Sequence, residues 1–436
     1  LPIIDRGEGI YLFDKSGKRY IDGSSGALVC SVGHGQDEIV DFIHKETKKV
    51  AYVNGNYFHS DLCENLASKL CGRSPGRLDR AFFLCSGSEA IEAAIKFARQ
   101  YFFDRGLEKK YKVIARSPGY HGNTLYALSA SGRPRYKKYF GPLLSEVCMV
   151  RTPYEYRSPS EDYEGEACEI YLKEIEDLIL KEGAHTIACV LVEPVSGTST
   201  AGSCPPKNYL RSLQELCRKN DILIIADEVL CGAGRTGSFY ASEQEFFEPD
   251  LLVLGKGVNG GYAPLSVLLT RTDLVDVIAK NSLNYMHAQT YVNTPSSLAA
   301  GVAVVDFMDR YRVIEKSRTV GAYFLSELKK LESYEGVGHA GGRGMFGGLE
   351  LVENKASKTP LSRSFKASES LMEILFSKGL VAWNNSGQID GEKGDLLVLG
   401  PPLITTLEQI DEMIEVLKSG LEDWIVKMKK LGVRFS

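Results

Sequence analysis

At 436 residues the chain exceeds what one hydrophobic core usually serves, so a large domain with at least one smaller one is expected. Apolar residues at 44 % and charged residues at 25 % form the balance of a globular protein and exclude an extended disordered chain. A net charge of -4 supplies no concentrated basic face, which argues against a nucleic acid or an anionic membrane as partner.

In chain order, Gly9 to Asp14 and Lys18 to Gly23 alternate apolar and polar residues around Ser16-Gly17, which predicts a hairpin. From Ala81 onward, short apolar runs alternate with helical stretches. The runs are Ala81 to Leu84, Val113 to Ala115, Cys189 to Val192, Ile222 to Ala226 and Leu251 to Leu254. Between them lie amphipathic segments such as Ala90 to Tyr101, Tyr171 to Lys181 and Tyr209 to Lys219, long enough to cross between parallel strands. An α/β architecture with a mainly parallel, helix-covered sheet follows. Gly341-Gly342-Arg343-Gly344 reads as a composition break before a strand over Met345 to Val352, a helix over Ser368 to Lys378 and a closing helix from Leu407. The expected division is an N-terminal segment 1–50 that joins the small domain, a large domain 51–312, and a C-terminal small domain 313–436.

Ten cysteines stand singly, with no pair at zinc or redox-disulfide spacing, and seven histidines are equally scattered. No metal site is expected, and a reducing compartment is. The chain starts at Leu1 rather than Met, which points to a trimmed beginning, so the cytoplasm is the expected location with the mitochondrial matrix also open.

Open parallel sheets bind ligands beyond the carboxyl ends of their strands. Here those ends are unusually polar. Cys85-Ser86-Gly87-Ser88-Glu89 precedes a helix and forms a candidate anion cradle, with a simple N-cap by Ser86 or Ser88 as the plainer reading. Tyr120 and His121 follow a turn and offer flat side chains, and Glu193 ends another strand. Asp227-Glu228 ends an uncharged strand, where an acid either makes a salt bridge or cap or holds a protonated pyridine nitrogen. Lys256 stands between Gly255 and Gly257, where an amine partly removed from water can attack an aldehyde. Gly232-Ala233-Gly234-Arg235-Thr236-Gly237 matches a dinucleotide fingerprint by letter but lacks the strand-to-helix setting.

Together with Gly33-His34-Gly35, Gly234-Arg235-Thr236-Gly237 and Pro401-Pro402-Leu403, these motifs make the chain resemble the class III aminotransferases over nearly its whole length. These are fold-type I pyridoxal-phosphate enzymes. The resemblance implies a seven-stranded-type sheet with a smaller α+β domain built from the two chain ends. It further implies that Lys256 forms a Schiff base with pyridoxal 5'-phosphate and moves the substrate proton, and that Asp227 pairs with the pyridine nitrogen. Val229 and Tyr120 would sandwich the ring, and Ser86, Gly87 and Ser88 would hold the phosphate, with His121 and Glu193 also at the cofactor. Thr290, in His287-Ala288-Gln289-Thr290-Tyr291, matches the threonine that reaches the neighbouring subunit's phosphate, which implies a homodimer with shared sites.

Leu230-Cys231 after the Asp-Glu-Val triad resembles the ω-amine branch. An amine or ω-amino acid as donor and a keto acid as acceptor are thus implied. Such enzymes often carry a carboxylate-binding arginine soon after Pro-Pro-Leu, but Thr405-Thr406-Leu407 offers none. Arg133, Arg135 and Arg343 are the remaining candidates, each read first as a surface or domain-packing residue. Val29, Tyr57 and Phe58 are candidate pocket walls, with packing as the equal reading. The rival functions are a related lyase (phospholyase) or aminomutase, and a non-catalytic member, against which the intact Lys256 and Asp227 argue.

Overall fold

In the computed structural model, which describes residues 1–55 and 57–436, seven strands form the central sheet. Their spatial order is Arg80–Leu84, Ser266–Thr270, Leu251–Leu254, Leu223–Asp227, Ile187–Val192, Lys112–Ser117 and Cys148–Arg151. The five consecutive strands from Leu251–Leu254 to Cys148–Arg151 are mutually parallel, and Ser266–Thr270 runs antiparallel to both its neighbours. The apolar runs have no polar alternation because both faces are covered. Leu223 and Ile225 pack with the helix Gly87–Asp104, whereas Ile224 and Ala226 pack on the other side with Tyr171, Ile175 and Leu213.

The helix Gly87–Asp104 starts where it does because of a reciprocal cap. Ser86 Oγ accepts from Glu89 N at 3.3 Å, while Glu89 Oε2 accepts from Ser86 N at 3.0 Å. Its buried face carries Ala90, Ala93, Ala94 and Ala98, small residues that let the helix axis lie close to the strands.

A second, antiparallel sheet orders Val337–Arg343, Phe346–Asn354, Asp395–Leu399 and Trp383–Ser386. A third joins the strands Ile4–Glu8, Tyr11–Asp14 and Arg19–Asp22 to Leu380–Val381, so the first residues of the chain and its last quarter share a sheet. The helices Ala367–Ser377 and Leu407–Lys430 pack on these sheets.

Three features differ from the sequence reading. Cys148–Arg151 and Ser266–Thr270 are strands that it did not identify. The glycines of Gly341-Gly342-Arg343 are not a break but the end of the strand Val337–Arg343, paired residue for residue with Phe346 to Gly348. Glycine there permits close backbone approach in a strand, which local composition reads as a loop.

The closing helix is tied down by Trp424, fully buried, whose Nε1 donates to Ala367 O at 3.0 Å. Trp424→Phe removes that bond and leaves a void beside the carbonyl. It is expected to destabilise the protein by about 2–4 kcal/mol, read as a lower midpoint in urea denaturation.

Candidate active site

The carboxyl ends of the central strands deliver different groups to one cavity of about 760 Å³. After Leu251–Leu254 the chain turns through Gly255, and Lys256 adopts φ 45°, a left-handed conformation that costs about 1–3 kcal/mol for a residue with a side chain. The Lys256 side chain lines the cavity. Burial pushes its ammonium below the ordinary lysine value, while the charges of Asp227 and Glu193 pull it back up. An amine so placed reaches its neutral, nucleophilic form more easily than one in water.

Asp227 is the last residue of Leu223–Asp227 and is buried. Its Oδ1 accepts from Val229 N at 3.1 Å, and its Oδ2 lies 2.7 Å from His121 Nδ1. A carboxylate only accepts, so Nδ1 carries the proton of that bond. The main-chain N of His121 in turn donates to Ser131 Oγ at 2.9 Å, and Nε2 is buried without a partner among the described residues.

Glu228 follows immediately and does the opposite job. Its carboxylate is fully buried and accepts from Ala241 N at 2.6 Å, Ser242 N at 2.9 Å and Ser242 Oγ at 2.5 Å, which pins the loop beyond the strand. Glu193 directly follows the strand Ile187–Val192, and its charge acts on Lys256. Its Oε1 accepts from Gly197 N at 3.0 Å, its main-chain carbonyl accepts from Arg116, and burial raises its carboxyl above the ordinary value.

Val229 projects between two glycines. A Cβ on Gly87 would stand 2.9 Å from Val229 Cγ1, and one on Gly255 would stand 3.1 Å from it, so a side chain at either position would crowd Val229 and the more so at Gly87. Gly87 and Ser88 open the helix, where main-chain N–H groups have no intrahelical acceptor. The Ser88 hydroxyl accepts from Asn123 N at 3.0 Å and keeps its own proton to donate. Tyr120 lines the cavity with the Arg133 guanidinium 5.6 Å from its ring centroid.

Gly87, Ser88, Tyr120, His121, Glu193, Asp227, Val229 and Lys256 are thus brought together around one cavity. Ser86 is not in its wall: the hydroxyl is spent on the helix cap and the carbonyl accepts from Ser266 Oγ at 2.7 Å. Val29 also lies outside the wall, because Leu28 adopts φ 61° and the turn presents Ala27 and Leu28 instead. Tyr57 and Phe58 are 79 % and 63 % exposed and stand away from the cavity of the single chain, as does the exposed Thr290. Arg343 is a packing residue, bonded to Gln244 at 2.6 Å and paired with Glu245 at 2.6 Å. The Gly232–Gly237 stretch forms turns, not a strand-to-helix junction.

Sequence reading missed the far wall, which Trp383, Asn384, Asn385 and Ser386 supply from the second sheet. It also missed one grouping of Asp22, Cys30 and His34 whose ligand-type atoms lie within 4.8 Å of one another. In it Asp22 Oδ2 already bonds His34 Nε2 at 3.0 Å and Asp22 Oδ1 accepts from Gly26 N at 2.9 Å.

Residues 1–421 match the family described as aminotransferase class-III. The chain belongs to the class III aminotransferases. An uncharacterised aminotransferase of Schizosaccharomyces pombe is 35 % identical over 98 % of this chain and 94 % of its own length. An (S)-enantioselective omega-transaminase from Thermomicrobium roseum superposes with a TM-score of 0.92 at 32 % identity, over 97 % of this chain and 93 % of that one. The omega transaminase of Pseudomonas jessenii, solved in complex with PMP, gives 0.91 at 28 % identity over 97 % and 93 %. The class III aminotransferases depend on pyridoxal phosphate, and the chain shares their fold-type I architecture. Amino transfer, rather than elimination or migration within one molecule, is therefore the activity that its relatives support. No helix among the described residues is long and apolar enough to cross a membrane.

Burial raises the Glu228 carboxyl from 4.5 to about 7. The folded aminotransferase therefore holds this proton over a range where the unfolded chain has released it, and Glu228 makes stability fall as pH rises from about 4.5 to 7. Glu228→Gln is expected to flatten that slope, measured as urea midpoints between pH 5 and pH 7.5.

Proposed function

We propose that this aminotransferase holds pyridoxal 5'-phosphate in the cavity at the strand ends and moves an amino group from an amine or ω-amino acid to a keto acid. The observation that carries the reading is the buried Lys256 amine facing Asp227 and Glu193 across a cavity that also contains a free helix start. The residues fit the group. Gly87 and Gly255 leave Val229 uncrowded, and Tyr120 lines the same cavity, as a flat ring would require.

When bound, the cofactor supplies an electron sink that lets the carbon bearing the amine give up its proton. Lys256 Nζ would hold the cofactor covalently and, once released, would carry that proton from the substrate carbon to the cofactor. Its lowered affinity for a proton suits both tasks. Asp227, kept in place by His121 and by Val229 N, holds the pyridine nitrogen protonated. Tyr120 and Val229, which line the same cavity, would hold the ring between them. Gly87 and Ser88 hold the phosphate with main-chain N–H groups and the Ser88 hydroxyl, aided by the positive end of the helix dipole. Thr290, exposed in one chain, completes the phosphate site of a second copy in a homodimer.

The purified protein is expected to absorb in the visible and to change that spectrum on mixing with an amino donor. Lys256→Ala should abolish turnover and the visible band together. Asp227→Ala should lower kcat by at least about a hundredfold while the band remains. A Lys256→Ala variant with normal turnover, or a purified protein that takes up no pyridoxal phosphate, would refute the proposal.

A further inference from the structure

The cavity contains a second positive group that the chemistry above leaves unused. Arg133 lines its wall and is largely buried, yet it pairs with no carboxylate within 4 Å among the described residues. Its contacts are neutral. Nη1 donates to Asn385 Oδ1 at 2.5 Å, Nη2 donates to Thr198 Oγ1 at 3.3 Å, and the guanidinium lies over the Tyr120 ring. Asn385 is turned for this task, because its Nδ2 donates to Thr198 O at 3.0 Å and so presents its oxygen to the arginine. Nε has no partner among the described residues.

A buried cation without a counter-ion is costly, and one edge of a guanidinium left idle is unusual. Burial lowers the affinity of Arg133 for its proton, and the charge of Glu193 only partly restores it. The acids that line the cavity are already engaged. Asp227 is bonded to His121, Glu193 to Gly197 N, and Glu369 to Arg363.

A side cavity of about 400 Å³ opens next to the main one and shares Arg133, Arg135, Tyr136, Asn385 and Ser386 with it. No acidic residue lines this annex among the described residues, so both arginines face it uncompensated.

We infer that Arg133, with Arg135 behind it, receives the carboxylate of the amino- or keto-acid substrate at the mouth of this annex. The inference rests on the aminotransferase reading above and names the group that selects its acidic substrates. As the side chain stands, Nη1 rests on Asn385 and Nη2 on Thr198, and the Nη2 and Nε edge carries the paired donors that a planar carboxylate accepts. That edge is covered as the side chain stands, so the acid meets Nη2 first and reaches Nε as the guanidinium turns on its stem. Arg133 is a binding residue in this scheme, with no part in proton transfer.

The chain has two tryptophans, and the cavity-lining Trp383 is the one that an incoming ligand can touch, since Trp424 is fully buried elsewhere. With cofactor-loaded protein, butyrate is expected to change tryptophan emission saturably, more weakly as salt rises, whereas butanol does not. Arg133→Gln, which retains a donor for Asn385, should raise the butyrate concentration for half-change by about tenfold or more, with Arg133→Lys between the two. In spectral half-reactions, the ratio of kcat/KM for 4-aminobutanoate to that for butylamine should fall by about tenfold or more in Arg133→Gln.

An unaltered butyrate response in Arg133→Gln overturns the assignment. So does a wild-type protein that responds to inorganic phosphate but not to butyrate, or an equal loss on both donors. If butylamine gives no measurable rate, the titration decides. A protein that binds butyrate through Arg133 but shows no spectral change with any donor keeps the anion site and sinks the aminotransferase reading. The reverse pattern keeps that reading and sinks the site.

Discussion

One ammonium group facing two buried carboxylates sets the terms for the rest of this structure. Burial by itself pushes the Lys256 ammonium towards its neutral form and the Glu193 carboxylate towards its protonated one. Placed together, the ammonium and the two acids reduce each other's cost, and that attraction offsets the repulsion between the acids themselves. The sheet makes this possible, because Asp227 and Val253 are register partners in adjacent parallel strands and Lys256 follows three residues later through a glycine. The spacing of the two main-chain positions that carry acid and amine is therefore fixed by sheet hydrogen bonds.

The adjacent acids Asp227 and Glu228 show how a strand end distributes charge. Successive residues of an extended chain point to opposite sides. Asp227 accordingly turns to the cavity and to His121, while Glu228 turns away and holds the loop at Ala241 and Ser242. A loop held in this way keeps Val229, one residue on, pressed into the gap between Gly87 and Gly255. The anchoring acid thus supports the reactive one through three residues of backbone.

Much of the fold is legible in the sequence because parallel strands buried on both faces must be continuous apolar runs, and five of the seven were recognisable as such. Ser266–Thr270 escaped because it returns antiparallel after a short loop, without the helix that marks the other crossovers. Cys148–Arg151, at the sheet edge, is too short and mixed to stand out. The strand-end residues were legible for the same reason as the strands: a charge after an apolar run is conspicuous. The His121–Asp227 bond was not, since its partners are 106 positions apart and no local pattern joins them. Ser86 shows the converse difficulty. A serine at a helix start has the same appearance whether it caps the helix or meets a ligand, and only the reciprocal bonds with Glu89 decide it.

The two sides of the cavity are built by different rules. Lys256, Asp227, Glu193, Gly87 and Ser88 project from the ends of strands and a helix whose pairing fixes them within the central sheet. The facing wall at Trp383–Ser386 belongs to an edge strand of another sheet, and Arg133 sits in the turn that leads into the short helix Pro134–Phe140. Edge strands and short turns exchange side chains at little cost to a core, whereas a change at a central strand end disturbs every neighbour. Chemistry shared across the family is therefore best placed on the sheet, and whatever distinguishes one substrate from another on the opposite wall. Arg133 bridges the two, resting on Tyr120 from the sheet side and on Asn385 from the other. A cation at that junction feels a substrate's charge without altering the geometry of Lys256 and Asp227.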